Sequence, residues 1–150
     1  MGATLEQMIT YTEKTPSLEE YKGLRDAVEW NLAERDISDE RAQESLDKAP
    51  YCVCAYDGKE IVGMVRLSGD LAMYGYIQDT IVLPEYQGKG VGKEMMRILM
   101  SKIKDKKGYL LGTCPSKVSV QFYEKFGFKK RPENPNGFMY VEVGKDEVKI

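Results

Sequence analysis

Residues 84–93 read Pro-Glu-Tyr-Gln-Gly-Lys-Gly-Val-Gly-Lys, with glycines at 88, 90 and 92 and lysines at 89 and 93. Glycine has no Cβ, so the backbone there can turn through left-handed conformations and come close to a ligand. An apolar helical pattern begins at Gly90, so the N–H groups of this turn open a helix, where the dipole favours an anion. Lys89 and Lys93 add positive charge beside it. The chemistry expected of such a turn is the cradling of a phosphate or pyrophosphate.

Spacing separates the phosphate motifs that this turn could represent. A Walker A loop needs glycine, four residues, then Gly-Lys-Ser/Thr. Here Gln87 stands where that glycine should be, and Glu94 follows Lys93 in place of a hydroxyl. The dinucleotide fingerprint would put its third glycine at position 93, which is lysine, and it belongs on the first strand of its domain. The pattern that fits is Gln/Arg-x-x-Gly-x-Gly/Ala, met by Gln87, Gly90 and Gly92. It resembles the acyl-CoA-binding motif of the GNAT superfamily of N-acetyltransferases. The likeness extends to Ile77–Tyr86, similar to the family's preceding strand and entry turn, to Phe122–Phe128, similar to the segment that closes the site, and to the strand pair within Tyr51–Leu67.

The resemblance implies acetyl-CoA as donor, a primary amine as acceptor, and direct attack in a ternary complex. It implies cofactor contacts at Ile81, Val82, Leu83, Gln87, Gly88, Lys89, Gly90, Val91, Gly92, Lys93, Ser116 and Tyr123. Ser116 occupies a position where many relatives carry an asparagine that holds the pantetheine. The strand before the turn is expected to splay from its neighbour near Val82 and Leu83, so that the pantetheine arm can pair with it like an added strand.

Acetyl transfer to an amine needs a donor to the thioester oxygen, removal of a proton from the amine, and a proton for the departing thiolate. The resemblance assigns the last role to Tyr123, whose neutral phenol can protonate a thiolate. Asp79, in line with Ile77 and Ile81 on an otherwise apolar face, is the carboxylate best placed to act as base; a water chain would serve equally well. A backbone N–H of the same strand is the expected oxyanion donor. A covalent route through Cys114 lacks a histidine to activate the thiol, because the chain contains none. For the acceptor, Trp30 and Glu34, one helical turn apart, offer an aromatic face and a carboxylate to a cationic amine. Arg66 and Tyr76 are further candidates on neighbouring strands. A non-catalytic acyl-CoA-binding sensor or interaction module is the alternative.

The elements that must position these residues follow from periodicity. Met8–Glu13 alternates as a short strand. Ser17 with Glu20 forms a capping box, after which Leu18, Tyr21, Leu24, Val28 and Leu32 recur at helical spacing. A second helix starts at Ser38 and stops before Pro50. Tyr51–Tyr56, an Asp57-Gly58 turn and Ile61–Leu67 read as a hairpin. Gly75–Leu83 is a strand, Gly90–Ile103 a helix with Val91, Met95, Ile98, Leu99 and Lys102 on its inner stripe, and Tyr109–Cys114 a strand. Val118–Phe126 is a helix closing at Gly127. Phe128–Lys130 and Phe138–Val143 are the last strands, separated by Pro132–Gly137. The fold class is α/β: a single-domain GNAT-like mixed sheet with central parallel strands flanked by helices on both faces.

Bulk properties narrow the partners. A net charge of −2 over 150 residues lacks the basic footprint of a nucleic-acid binder. The acidic pI of about 5.4 favours a small cationic amine as acceptor, with a protein acceptor as the other option. No run approaches a membrane span, and no charged and apolar leader opens the chain, so a cytoplasmic protein is expected. Cys52, Cys54 and Cys114 lack framework spacing and are read as reduced thiols, the first two as small packing residues; no metal is expected. Phe138 and Tyr140 near the C-terminus suggest homodimer pairing across a sheet edge.

Overall fold

The computed structural model describes residues 8–115, 119–131 and 134–150. In chain order the strands are β1 (Ile9–Thr12), β2 (Tyr51–Asp57), β3 (Glu60–Gly69), β4 (Tyr74–Val82), β5 (Leu110–Thr113), β6 (Lys129–Arg131) and β7 (Asn134–Glu142). The helices are α1 (Leu18–Ala27), α2 (Asp39–Lys48), α3 (Val91–Ile103) and α4 (Val120–Glu124). Among the described residues the strands form one sheet in the order β1-β2-β3-β4-β5-β7-β6. Among the described strand pairs only β4 and β5 run parallel, because α3 carries the chain from the end of one back to the start of the other.

Both faces of the sheet are covered. On one, Val91, Met95, Met96, Leu99, Met100 and Ile103 of α3 are buried against β2, β3 and β4. Each such side chain contributes roughly 1.5–3 kcal/mol by leaving water. Lys102, expected on this stripe, is exposed; Met96 and Met100 fill the space instead. On the other face, Tyr21 and Leu24 of α1 and Ala42 and Leu46 of α2 pack against Cys54, Met64 and Ile81. Cys52 and Cys54 are buried thiols, and burial pushes Cys54 up to about 12.

Local chemistry sets the helix ends. The Ser17 hydroxyl accepts from the Glu20 N–H while the Glu20 side chain accepts from the Ser17 N–H, completing the capping box. The helix was expected to run on to Leu32 but stops at Ala27. Glu29 takes a left-handed φ of 62°, its N–H donates to Asp26, and the Trp30 N–H donates to the Arg25 carbonyl. This pair of bonds closes a helix C-terminus even without glycine. Asn31 then holds the following turn, donating to Asp26 and accepting from the Glu34 N–H. Trp30 and Glu34 therefore do not share a helix.

Two further expectations are corrected. Strand β7 begins at Asn134, within the segment read as a turn, and lies inside the sheet between β5 and β6. Phe138 and Tyr140 are thus not on an edge: the Phe138 ring stacks on Tyr76 and lies over Gly112, where a Cβ would collide with it. The edge-pairing basis for a homodimer is removed.

Strand β4 is also interrupted. Gln78 pairs with Arg66 and Ile81 with Met64, so Asp79 and Thr80 together oppose Val65. This is a β-bulge, with Asp79 at a left-handed φ of 52°. The extra residue reverses the alternation: Ile77 packs in the α3 core and Ile81 in the α1–α2 core. Ile77, Asp79 and Ile81 do not share one face.

Candidate functional site

Pairing between β4 and β5 ends at Ile77↔Thr113, and the two strands part from there. The separation starts earlier than the expected position near Val82. It opens a cleft of about 900 Å³ that follows β4 from Tyr76 to Val82. Gln87, Gly88 and Gly92 line it beyond the strand's C-terminal end, Tyr123 and Cys114 face β4, and Val28 and Trp30 contribute from the turn after α1.

The glycine turn is built for close approach. Gln87 extends from a 3-10 turn (Pro84–Tyr86), and its Nε2 donates to the Val82 carbonyl at 3.0 Å. Gly88 and Gly90 have φ of 76° and 85°, and a Cβ at either would meet nothing within 4 Å. Gly90 is the N-cap of α3, and among the described residues no side chain caps the helix's first N–H groups. Those donors, at the positive end of the dipole, can hold a pyrophosphate. Lys89 and Lys93 are exposed beside the turn, Lys89 resting 5.7 Å from the Tyr86 ring centroid. The Tyr86 hydroxyl donates to Asp57 at 2.5 Å, tying the turn to the β2–β3 hairpin.

Other residues expected at the cofactor are distributed differently. Ile81 and Val82 line the cleft. Val91 is 3% exposed and its side chain belongs to the core, which leaves only its backbone for a ligand. The Leu83 N–H donates to the Val62 carbonyl at 2.9 Å, so it is committed to the sheet. Ser116 lies outside the described residues.

Tyr123 is 5% exposed and edge-on to Phe122 and Phe128. Its hydroxyl donates to Thr80 Oγ1 at 3.0 Å, which fixes the phenol over the bulge. Tyr76 lines the same stretch of cleft beside the exposed Cys114; burial first, and then the neighbouring thiol, push the Tyr76 phenol above its ordinary range.

Asp79 also lines the cleft, but its oxygens are engaged. Oδ1 accepts from Arg25 Nη1 at 2.8 Å; Oδ2 accepts from Arg66 Nε at 2.9 Å and from the Tyr21 hydroxyl at 2.8 Å, with Arg66 Nη2 at 2.7 Å. Burial, together with the Asp79 charge, raises the Tyr21 phenol, which stays neutral. A carboxylate held by two guanidinium groups and a phenol is stabilised in its charged form and is a weak base, so this pairing argues against the base role expected of it. Arg66, expected to line the acceptor site, lies behind Asp79 and also donates to Ser45 at 2.6 Å. Glu34 is exposed and away from the cleft lining, whereas Trp30 lines it with 47% of its surface free. Sequence reasoning missed Arg25, Val28 and Thr80. Arg25 carried a usable signal, as a cation one turn after Tyr21 on the inner face of α1.

Residues 13–128 match the Acetyltransferase (GNAT) family. An uncharacterized ycf52-like N-acetyltransferase of Prochlorococcus marinus is 31% identical over 135 residues, covering 85% of this chain and 72% of that protein. The chloroplastic GCN5-related N-acetyltransferase 2 of Arabidopsis thaliana is 32% identical over 82 residues, covering 55% of this chain and 32% of that protein. The chain therefore spans about a third of the length of the latter relative. Among solved structures, a GNAT family acetyltransferase of Streptococcus pneumoniae superposes with a TM-score of 0.69 at 29% identity, covering 82% of this chain and 89% of that one. PaiA N-acetyltransferase of Thermoplasma acidophilum, solved with coenzyme A, shares the fold with a TM-score of 0.69 at 17% identity over 89% of this chain and 99% of that one.

Proposed function

The chain belongs to the GNAT acetyltransferase family, and from that premise we propose that it is an N-acetyltransferase that moves the acetyl group of acetyl-CoA to a primary amine within a ternary complex. The observation that carries this reading is the uncapped start of α3, with Gly88 and Gly90 at positive φ in open space, leading into a cleft that passes Tyr123. The turn suits a pyrophosphate, and the unpaired part of β4 beyond Ile77 suits an extended arm.

In this reading the N–H groups of residues 90–93 bind the diphosphate, helped by Lys89 and Lys93. The open stretch of β4 orients the thioester and supplies a backbone donor to its oxygen. Tyr123, held by Thr80, gives its proton to the departing thiolate. The amine's proton leaves through water in the open cleft, since Asp79, paired with two guanidinium groups, is a weak base. The acceptor approaches past Trp30 and Val28. Glu34, the carboxylate expected to draw a cation, lies away from the cleft lining, so the reading is a primary amine without a required second positive charge. A cytoplasmic setting belongs to the same proposal.

The test is acetyl-CoA consumption, followed by free-thiol release, against a panel of amines, with calorimetric titration of acetyl-CoA alongside. Turnover on any amine supports the enzyme and names its acceptor class. Binding without turnover on small amines and on peptides would turn the reading to an acyl-CoA sensor, and absence of binding would overturn the assignment of the glycine turn.

A further inference from the structure

Arg25 stands where three segments meet. It lies in the last turn of α1 and is 6% exposed. Its Nε donates to the Trp30 carbonyl and its Nη1 to Asp79 Oδ1, both at 2.8 Å. Its guanidinium lies 6.0 Å from the centroid of the Trp30 ring, and its own carbonyl accepts the Trp30 N–H at 2.7 Å. Arg25 and Trp30 thus clasp each other through side chain and backbone, while the same guanidinium grips the β4 bulge.

Charge balance alone does not call for this arrangement. Arg66 makes a two-nitrogen contact with Asp79 and is sufficient to neutralise it. A second buried guanidinium leaves the cluster with one cation in excess, which is unfavourable unless its donors are used. What Arg25 adds is a fixed fork joining the acceptor-side turn to the cofactor strand, a geometry that an ammonium does not supply. Without it, a half-exposed aromatic at the end of a glutamate-closed helix would lose its order, because each ordered residue costs conformational entropy. The next residue of the bulge, Thr80, holds Tyr123. One bulge therefore carries the acceptor wall through Asp79 and the phenol through Thr80.

We infer that Arg25 is a positioning residue for the acceptor: it fixes the turn bearing Val28 and Trp30 against β4, so that the acceptor wall and the strand serving the thioester keep one geometry. This rests on the acetyltransferase reading for its kinetic part only. Trp30 is the chain's single tryptophan, so its fluorescence reports on this turn without any acceptor present.

The experiment compares Arg25→Gln and Arg25→Lys with the parent chain by acrylamide quenching of Trp30 and by steady-state kinetics. Far-UV circular dichroism establishes that each variant is folded. Arg25→Gln should raise the quenching constant about twofold, as the turn loosens. It should also raise the acceptor KM by about tenfold, with the acetyl-CoA KM changing less than about twofold. Arg25→Lys keeps the charge but cannot span both acceptors, and should fall between; it decides the question if the glutamine variant does not fold. Unchanged quenching in a folded variant, or equal rises in both KM values, would overturn the inference. Absence of turnover by the parent chain would count against acetyl transfer and leave the quenching result to decide the tether.

Discussion

The phenol oxygen of Tyr123 stands 3.0 Å from the hydroxyl of Thr80, joining the helix after β5 to the bulge in β4. If this phenol is the acid for the departing thiolate, Tyr123→Phe lowers kcat by roughly a hundredfold or more. The calorimetric Kd for acetyl-CoA should stay within about twofold, because no contact to the turn is lost. Thr80→Val keeps the shape of the side chain and frees the phenol, with a smaller loss of about tenfold expected. Equal turnover in Tyr123→Phe would exclude the acid role.

Gly90 and Gly23 make a matched pair for the same substitution. Gly90→Ala places a Cβ on a residue at φ 85°, costing about 1–2 kcal/mol. At about 2–4 °C per kcal/mol for a chain of this size, calorimetry should detect the shift. The new methyl also enters the open space of the cradle, and acetyl-CoA affinity should fall by about tenfold. Gly23, inside α1 with nothing within 4 Å and no positive φ, behaves oppositely: Gly23→Ala should stabilise by about 0.4–1 kcal/mol.

The three thiols should separate by reactivity. Cys52 and Cys54 are buried with raised thiols, whereas Cys114 is exposed on the cleft. Native-state iodoacetamide should give a single adduct by mass spectrometry, at Cys114, and acetyl-CoA should slow its formation. A second adduct without denaturant would contradict the packing of β2.

Asp70 makes stability depend on acid in a defined direction. Its Oδ1 accepts from the N–H groups of Met73, Tyr74 and Ala72, and these bonds hold its carboxyl below the ordinary range. A group with a lowered folded pKa stabilises above its unfolded value, about 3.9 for aspartate, and that stabilisation is lost as pH falls through the folded value. Urea midpoints should therefore differ between the parent chain and Asp70→Ala at pH 7 and converge towards pH 2. A gap that persists at low pH would show that the hairpin tip is held by something else.

Much of this architecture was legible because short-range chemistry specified it. Ser17 with Glu20, Gly58 at the β2–β3 turn and the glycines before α3 each fix a local geometry whatever surrounds them, although that turn is Gly58-Lys59, one residue later than the expected Asp57-Gly58. The bulge was illegible for a complementary reason. Ile77, Asp79 and Ile81 keep perfect alternation in sequence, and only pairing with β3 shows that one residue is extra. The α1 terminus was hidden in the same way, since Val28 and Leu32 continue the apolar spacing although Glu29 breaks the helix. The interior place of β7 is set by long-range strand order, which no local pattern records.

Because of the bulge, β4 consists of two stretches of opposite parity, one keyed to the α3 core and the other to the α1–α2 core. Chimeras with related chains can therefore cross over inside this strand only where both parents carry the same odd residue. Deleting that residue would leave the strand's length almost unchanged and yet turn Ile81 toward the wrong layer. An aligned sequence can therefore look conservative here and encode a sheet that no longer closes on its helices.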